Sequence, residues 1–252
     1  MRHLLQCWRQ VSARIQQAES IALFLDFDGT LAPTRPRPEE VWLDPLTRRI
    51  LLRLVHHPRL RVWVVSGRRQ EDVRERIGVR GVCCLGLYGW ERNGSTKPSE
   101  PVRRMLAQAK NGLAGHVRKT PGLWIEDKGA TFALHYRNAL GPAAVETYAV
   151  LRTVLEPFST RLRVLQGDQV WEVAPGELRG KGAVVRREWR GFHRRALPIY
   201  VGNDPNDEPA FATLARGVTV RVGPRRTSRA RFLLSDPAEV RQFLQMLDAE
   251  VR

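Results

Sequence analysis

The chain opens on a helical spacing of apolar residues, Leu4, Leu5, Trp8, Val11 and Ile15, which predicts an amphipathic helix within residues 1–20. The pattern then changes. Ile21 to Leu25 is an unbroken apolar run with the length of a buried strand, and two carboxylates, Asp26 and Asp28, follow it directly. Pro33, Pro36 and Pro38 mark an irregular loop, after which Asp44-Pro45 starts a helical pattern that lasts to about His57. RVWVVS is a second buried strand, ending at Ser66-Gly67-Arg68. A short helix over about 69–77 and the apolar run VCCLGLYG over 82–89 continue the alternation. Strand and helix in turn predict an α/β fold with a doubly wound parallel sheet.

From about residue 95 the periodicity is different. A helical segment over roughly 101–118 precedes two strand-like runs, LWIEDK and TFALHYR, the second alternating Phe132, Leu134 and Tyr136 against Thr131, Ala133 and His135. A helix over about 141–155 precedes RLRVLQ and QVWEVA, split by the hairpin signal Gly167-Asp168. This is the outline of a small antiparallel α/β layer, too short for an independent catalytic domain and suited to a lid. The parallel-sheet pattern then resumes with GKGAVVRREW as a helix, ALPIYVGND as a strand, a helix over about 206–215, GVTVRVG as a strand and a closing helix from about Asp236. The expected organisation is an N-terminal helix over 1–20, a core domain from 21–94 and 177–252, and an inserted α/β cap over 95–176. Asn93-Gly94 and Pro175-Gly176 are the candidate hinges.

Composition narrows the class. No apolar run in the 252 residues approaches the ~18 that a membrane helix needs, and the first helix has neither an uninterrupted apolar stretch nor a small-residue cleavage site. The expectation is a cytoplasmic protein with no membrane partner. Cys7, Cys83 and Cys84 offer neither a disulfide framework nor a metal-ligand spacing. The net charge of +16 invites a nucleic-acid reading, but only five of the 42 basic residues are Lys. That imbalance points to arginine-rich codon usage as much as to a binding face, and it weighs against nucleic acid. A positive field would also draw in a small anionic substrate.

The candidate chemistry starts at Asp26. Hydrolysis of a phosphate monoester needs an activated nucleophile, neutralised phosphoryl oxygens and a protonated leaving group. A carboxylate at a strand end can be that nucleophile, through an aspartyl-phosphate. Two anions repel, so cations must assist, and Mg²⁺ suits carboxylate, carbonyl and phosphate oxygens. Asp28 is placed to act as acid and then base. Gly29 lets the backbone turn, and Thr30 offers the phosphate a hydroxyl or an amide.

DFDGTL at 26–31 resembles the first motif of the haloacid-dehalogenase-type phosphatases. Ser66 in VVSGR, Lys181 in RGKGAV and GNDPNDE at 202–208 resemble the second, third and fourth, in the right order. The resemblance implies that Ser66, with Gly67 beside it, binds the phosphoryl group, that Lys181 supplies a second positive charge, and that the last motif completes a magnesium shell. Similar sequences usually carry Gly-Asp-Asp in that last motif. Asn203 stands here in place of the first Asp, so either it is a weaker ligand or Asp204 or Asp207 takes over.

LYGWERNG, IEDKGATFALHYRNA and QVWEVAPGELRGKGAV are similar to stretches of the trehalose-6-phosphate phosphatases, and the likeness covers roughly residues 20–250. It implies a type-2 cap that reads a sugar phosphate. Glu126, Lys128 and Glu172, with Glu91, His135 and Arg137, are the expected sugar contacts, while Trp171 is balanced between contact and packing. The expected activity is hydrolysis of trehalose 6-phosphate. Other glycosyl phosphates (sucrose phosphate, glucosylglycerol phosphate, mannosyl-phosphoglycerate) are the alternative within the class, and a non-catalytic basic binding protein is the alternative outside it. The sequence does not give an oligomeric state.

Overall fold

A strand that is apolar at every position rather than every second one must bury both faces, and the first long strand does so. In the computed structural model, which describes residues 1–92, 97–139, 142–192, 195–224 and 227–252, the chain forms two compact units. The first comprises Met1–Gly94 and Gly180–Arg252, the second Ser95–Arg179.

The first unit is built on seven parallel strands. In chain order these are β1 (Arg2–His3), β2 (Ser20–Leu25), β3 (Leu60–Val65) and β4 (Cys83–Leu85), then β9 (Ala196–Gly202), β10 (Val218–Val222) and β11 (Phe232–Leu234). Their order across the sheet is β1-β11-β10-β9-β2-β3-β4, so β2 lies at the centre between β9 and β3. Along β2 the side chains alternate between two cores. Ile21, Leu23 and Leu25 join one with residues of α1 (Trp8–Gln17), α2 (Pro45–His56), α3 (Gln70–Ile77) and α8 (Pro237–Val251). Ala22 and Phe24 join the other with residues of α6 (Lys181–Trp189) and α7 (Glu208–Thr213). Helices on both faces make this the doubly wound sheet that the alternation of patterns predicts.

The N-terminal helix is covered by its own unit. Val11 and Ile15 are buried in the first core, and the Trp8 ring meets Phe243 of α8 edge-on at 6.2 Å. The short strands β1 and β11 were not expected. Two or three residues carry no periodicity, and their extension is fixed by pairing with one another and with β10. The run expected as a strand over 82–89 is a strand only to Leu85. Leu87, Tyr88 and Gly89 then take φ of 45°, 57° and 87°, a left-handed turn that nothing in Leu or Tyr announces.

The second unit is an antiparallel sheet of β5 (Trp124–Asp127), β6 (Phe132–His135), β7 (Leu162–Gly167) and β8 (Val170–Pro175), ordered β5-β6-β8-β7. Its helices α4 (Glu100–Lys119) and α5 (Ala143–Leu155) share one core with the sheet, where Val102, Leu106 and Leu151 meet Phe132, Leu134 and Val173. The alternation read from TFALHYR holds, leaving Ala133 and His135 on the opposite face of β6, in register with Glu126 and Trp124. Pro175, of the candidate hinge Pro175-Gly176, pairs with Leu162 at the end of β8, and the unit boundary falls after Arg179. The other expected hinge, Asn93-Gly94, lies outside the described residues. Among the described residues no helix is long and apolar enough to cross a membrane.

Candidate active site

Chemistry gathers where β9, β2 and β3 end side by side, since parallel strands deliver the residues that follow them to one edge of the sheet. Asp26 follows β2, Ser66 follows β3, and Asn203 and Asp204 follow β9. Lys181 opens α6.

Lys181 is almost wholly buried, and its Nζ lies 2.7 Å from Asp26 Oδ1 and 2.8 Å from Asp207 Oδ1. Burial opposes its charge, but the two carboxylates outweigh this and hold it protonated, its pKa above the ordinary lysine value. Asp26 is pushed the other way. Burial raises its pKa well above the usual carboxylate range, the Lys181 charge counteracts this, and the charge of Asp207 adds to the rise. Two buried carboxylates thus share one ammonium ion, and the cluster lacks a positive charge when both are ionised.

Asp207 is expected among the metal ligands, yet its oxygens are engaged elsewhere. Oδ1 accepts from Lys181 and from Tyr200 Oη at 2.6 Å, and Oδ2 accepts from the Asp204 backbone N–H at 2.8 Å. That makes it the residue that orients Lys181. Asp204 Oδ1 accepts from the Asn206 N–H at 2.8 Å and caps the turn over Pro205–Asp207.

The remaining motif residues form a second cluster around Asn203. With its amide nitrogen turned inward, Asn203 donates to Thr30 Oγ1 at 3.0 Å, to the Asp28 carbonyl at 2.7 Å and to Asp26 Oδ2 at 3.0 Å. In the opposite orientation Thr30 donates to Oδ1, but the Asp28 and Asp26 oxygens are left facing another oxygen, so the inward nitrogen is the assignment for a metal-free protein. Asp26 Oδ2, the Asp28 carbonyl and Asn203 are also the oxygen-bearing groups fit to hold a magnesium ion, with Asp204 as a further carboxylate. The missing positive charge of the neighbouring pair suits a divalent cation there.

The Asp28 carboxylate faces away from this cluster. Arg68 Nε and Nη2 grip its two oxygens at 2.8 and 2.7 Å, and the same guanidinium binds Asp72 at 2.9 Å and the Pro38 carbonyl at 2.8 Å. Ser66 Oγ, fully buried, accepts the Arg68 N–H at 3.2 Å. Gly67 is required by its neighbour, because a Cβ there would lie 2.7 Å from the Tyr88 hydroxyl. The left-handed turn at Leu87 and Tyr88 braces the same loop, with their N–H groups donating to the carbonyls of Arg68 and Ser66 at 2.7 and 2.8 Å.

In the second unit, four of the expected sugar contacts meet. Lys128 Nζ lies 2.8 Å from Glu172 Oε2 and 3.8 Å from Glu126 Oε2, while His135 Nε2 is 2.9 Å from Glu126 Oε2. Thr131 hydrogen-bonds the other Glu172 oxygen, and the Trp124 and His135 rings stack at 3.9 Å and 4°. The other expected contacts are occupied differently. Arg137 pairs with Asp168 at the β7–β8 turn, at 3.1 Å. Glu91 Oε2 accepts the Gln70 N–H at 2.6 Å, at the first turn of α3. Trp171 is a packing residue, stacked on Tyr136 at 3.9 Å inside the cap core.

A family model described as trehalose-phosphatase matches residues 24–232. The chain belongs to the trehalose-phosphatase family. A trehalose-phosphate phosphatase of Mycobacterium tuberculosis (strain H37Rv) is 33% identical over 93% of this chain, which spans 63% of that relative's length. The fold agrees with the C-terminal domain of a Candida albicans trehalose-6-phosphate phosphatase, at a TM-score of 0.83 and 21% identity, covering 96% of each chain. It also agrees with a haloacid dehalogenase-like hydrolase from Bacteroides thetaiotaomicron, at a TM-score of 0.62 and 14% identity over 90% of this chain and 99% of that one.

Within the first unit the sequence pattern overlooks three polar neighbours of the motif residues. Tyr200 sits inside an apolar strand and reads as core, Tyr88 inside a run that reads as strand, and Arg68 is one Arg among many. Only Arg68 carried a signal, by its place directly after Ser66-Gly67.

Proposed function

We propose that this protein is a magnesium-dependent phosphatase that hydrolyses trehalose 6-phosphate to trehalose and phosphate through an aspartyl-phosphate on Asp26. The observation that carries the proposal is the buried Asp26–Lys181–Asp207 cluster at the carboxyl edge of the sheet. It combines a carboxylate nucleophile with a fixed cation, in a setting short of one positive charge.

A carboxylate oxygen of Asp26 attacks phosphorus, and the bond from phosphorus to the sugar oxygen breaks. The departing oxygen takes a proton from Asp28. Water then attacks phosphorus in the acyl phosphate, giving its proton to Asp28 and returning Asp26 as a carboxylate. The two steps together consume one water and release one alcohol and one phosphate. To serve as acid, Asp28 must leave the grip of Arg68, so the Arg68 pair is the resting position of the acid/base group. Lys181, aimed by Asp207, neutralises charge on the phosphoryl group, and Ser66, Gly67 and Thr30 supply hydrogen bonds to it. Magnesium held by Asp26, the Asp28 carbonyl and Asn203 would add Lewis-acid neutralisation of the phosphoryl oxygens.

The second unit acts as the cap that reads the sugar. Lys128, Glu126 and Glu172 already satisfy one another, so a hydroxylated substrate exchanges partners with them rather than meeting bare charges. A sugar that fails to replace those bonds leaves a buried group unpaired, at a cost of about 1–3 kcal/mol. Phosphate release with magnesium from trehalose 6-phosphate, sucrose phosphate, glucosylglycerol phosphate and glucose 6-phosphate tests the substrate. Selective release from the trehalose ester is expected. Selective release from another ester would keep the chemistry and move the substrate.

A further inference from the structure

Asn203 stands where a further carboxylate would add to a site already short of positive charge, and the surroundings of its amide suggest what the replacement does. One amide atom lies 2.7 Å from the Asp28 carbonyl oxygen and 3.0 Å from Asp26 Oδ2. Without metal that atom is the nitrogen, since only N–H groups can face two acceptors. The same spacing suits a different occupant. Oxygens bound to Mg²⁺ at about 2.0–2.1 Å in an octahedron stand about 2.9 Å apart along each edge. An Asn203 oxygen in that place would therefore sit at ligand spacing from both neighbours with almost no movement of the backbone. The change required is a half-turn of the terminal amide, a torsion with a broad, two-fold preference. Gly29 leaves room for the other amide atom, which a Cβ there would approach to 2.2 Å.

We propose that Asn203 is a metal-responsive amide, with Nδ2 turned inward in the metal-free protein and Oδ1 turned inward when a divalent cation is bound. This inference rests on the magnesium site proposed above. An aspartate in this position has no donor to turn inward, so its metal-free site would crowd three acceptor oxygens, two of them from charged carboxylates. Asparagine therefore satisfies the metal-free site and binds the cation more weakly.

The test uses the full chain, treated with chelator and titrated with Mg²⁺ alone, in wild-type and Asn203→Asp forms. Calorimetry should give Asn203→Asp a magnesium Kd about tenfold lower, because ligand charge tunes affinity. Thermal unfolding in chelator should show it melting below wild type and gaining more from magnesium. In wild-type protein labelled with ¹⁵N, the side-chain amide signals of Asn203 should shift on titration, a readout that stands even if the variant folds poorly. Magnesium binding with the Asn203 signals unmoved, or with equal Kd and equal metal-free melting in the two forms, overturns this inference alone. No magnesium binding by wild type overturns it together with the magnesium reading.

Discussion

Replacing Asp207 by alanine should destabilise the protein strongly, because the carboxylate serves three donors at once, two of them buried. Lys181 Nζ, Tyr200 Oη and the Asp204 N–H reach it at 2.8, 2.6 and 2.8 Å, and Asp207 itself is fully buried. Breaking a buried ion pair by removing one partner costs about 3–5 kcal/mol. Lys181 keeps Asp26 at 2.7 Å, which places its share near the lower end of that range. The Tyr200 hydroxyl, left without its acceptor, adds about 1–3 kcal/mol. A total of about 4–6 kcal/mol, at roughly 2–4 °C per kcal/mol for a chain of this size, lowers Tm by about 8–24 °C. Asp207→Asn keeps one oxygen for Lys181 and Tyr200 but turns an N–H₂ group toward the Asp204 N–H, and should lose about half as much. Thermal unfolding followed by circular dichroism, with both variants beside wild type, measures this. An Asp207→Ala protein melting within about 2 °C of wild type would refute the view that Asp207 anchors the cluster.

Three further outcomes are expected. Gly67→Ala should push the Tyr88 ring and the Ser66–Arg68 loop apart, costing about 1–3 kcal/mol in unfolding experiments and most of the phosphatase rate; a variant with wild-type Tm and rate would show the contact to be soft. Glu172→Gln removes the charge paired with Lys128 and should lower kcat/KM for trehalose 6-phosphate by about tenfold to a hundredfold, with less effect on a small artificial phosphate ester. Asp44 caps α2; partial burial raises its pKa, but hydrogen bonds from Thr47 and Leu46 and the nearby Arg241 charge outweigh this and hold it below the ordinary aspartate value. Its contribution of about 1 kcal/mol should be complete above the unfolded pKa of about 3.9 and vanish as pH falls through the lower folded value. The stability gap between wild type and Asp44→Ala should therefore close in acid, and a gap independent of pH would refute the assignment.

What the sequence makes legible follows from what sets each element. The doubly wound core could be read because Ile21–Leu25 and its neighbouring strands are apolar on both faces, and the cap could be read because TFALHYR alternates. Asp26 and Asp28 were visible because paired carboxylates at a strand end are chemically restrictive, whereas Ser66, Lys181 and Asn203 stood out through the resemblance of the ordered motifs. Tyr88, Tyr200 and the short strands β1 and β11 were not, since each owes its place to a partner outside its own run: Tyr88 to Gly67, Tyr200 to Asp207, β1 to β11. Glu91 and Arg137 show the converse. The resemblance implies them as sugar contacts, and the fold holds their charged groups against the Gln70 N–H and Asp168, pairings that charge alone does not announce.

The central claim is that Asp26 carries the phosphoryl group. Phosphate release from trehalose 6-phosphate, with magnesium, by wild type and by Asp26→Asn at equal concentration and with matched circular dichroism spectra tests it most directly. The account predicts turnover by wild type and release indistinguishable from the protein-free rate by Asp26→Asn. Comparable turnover by the two proteins would contradict it.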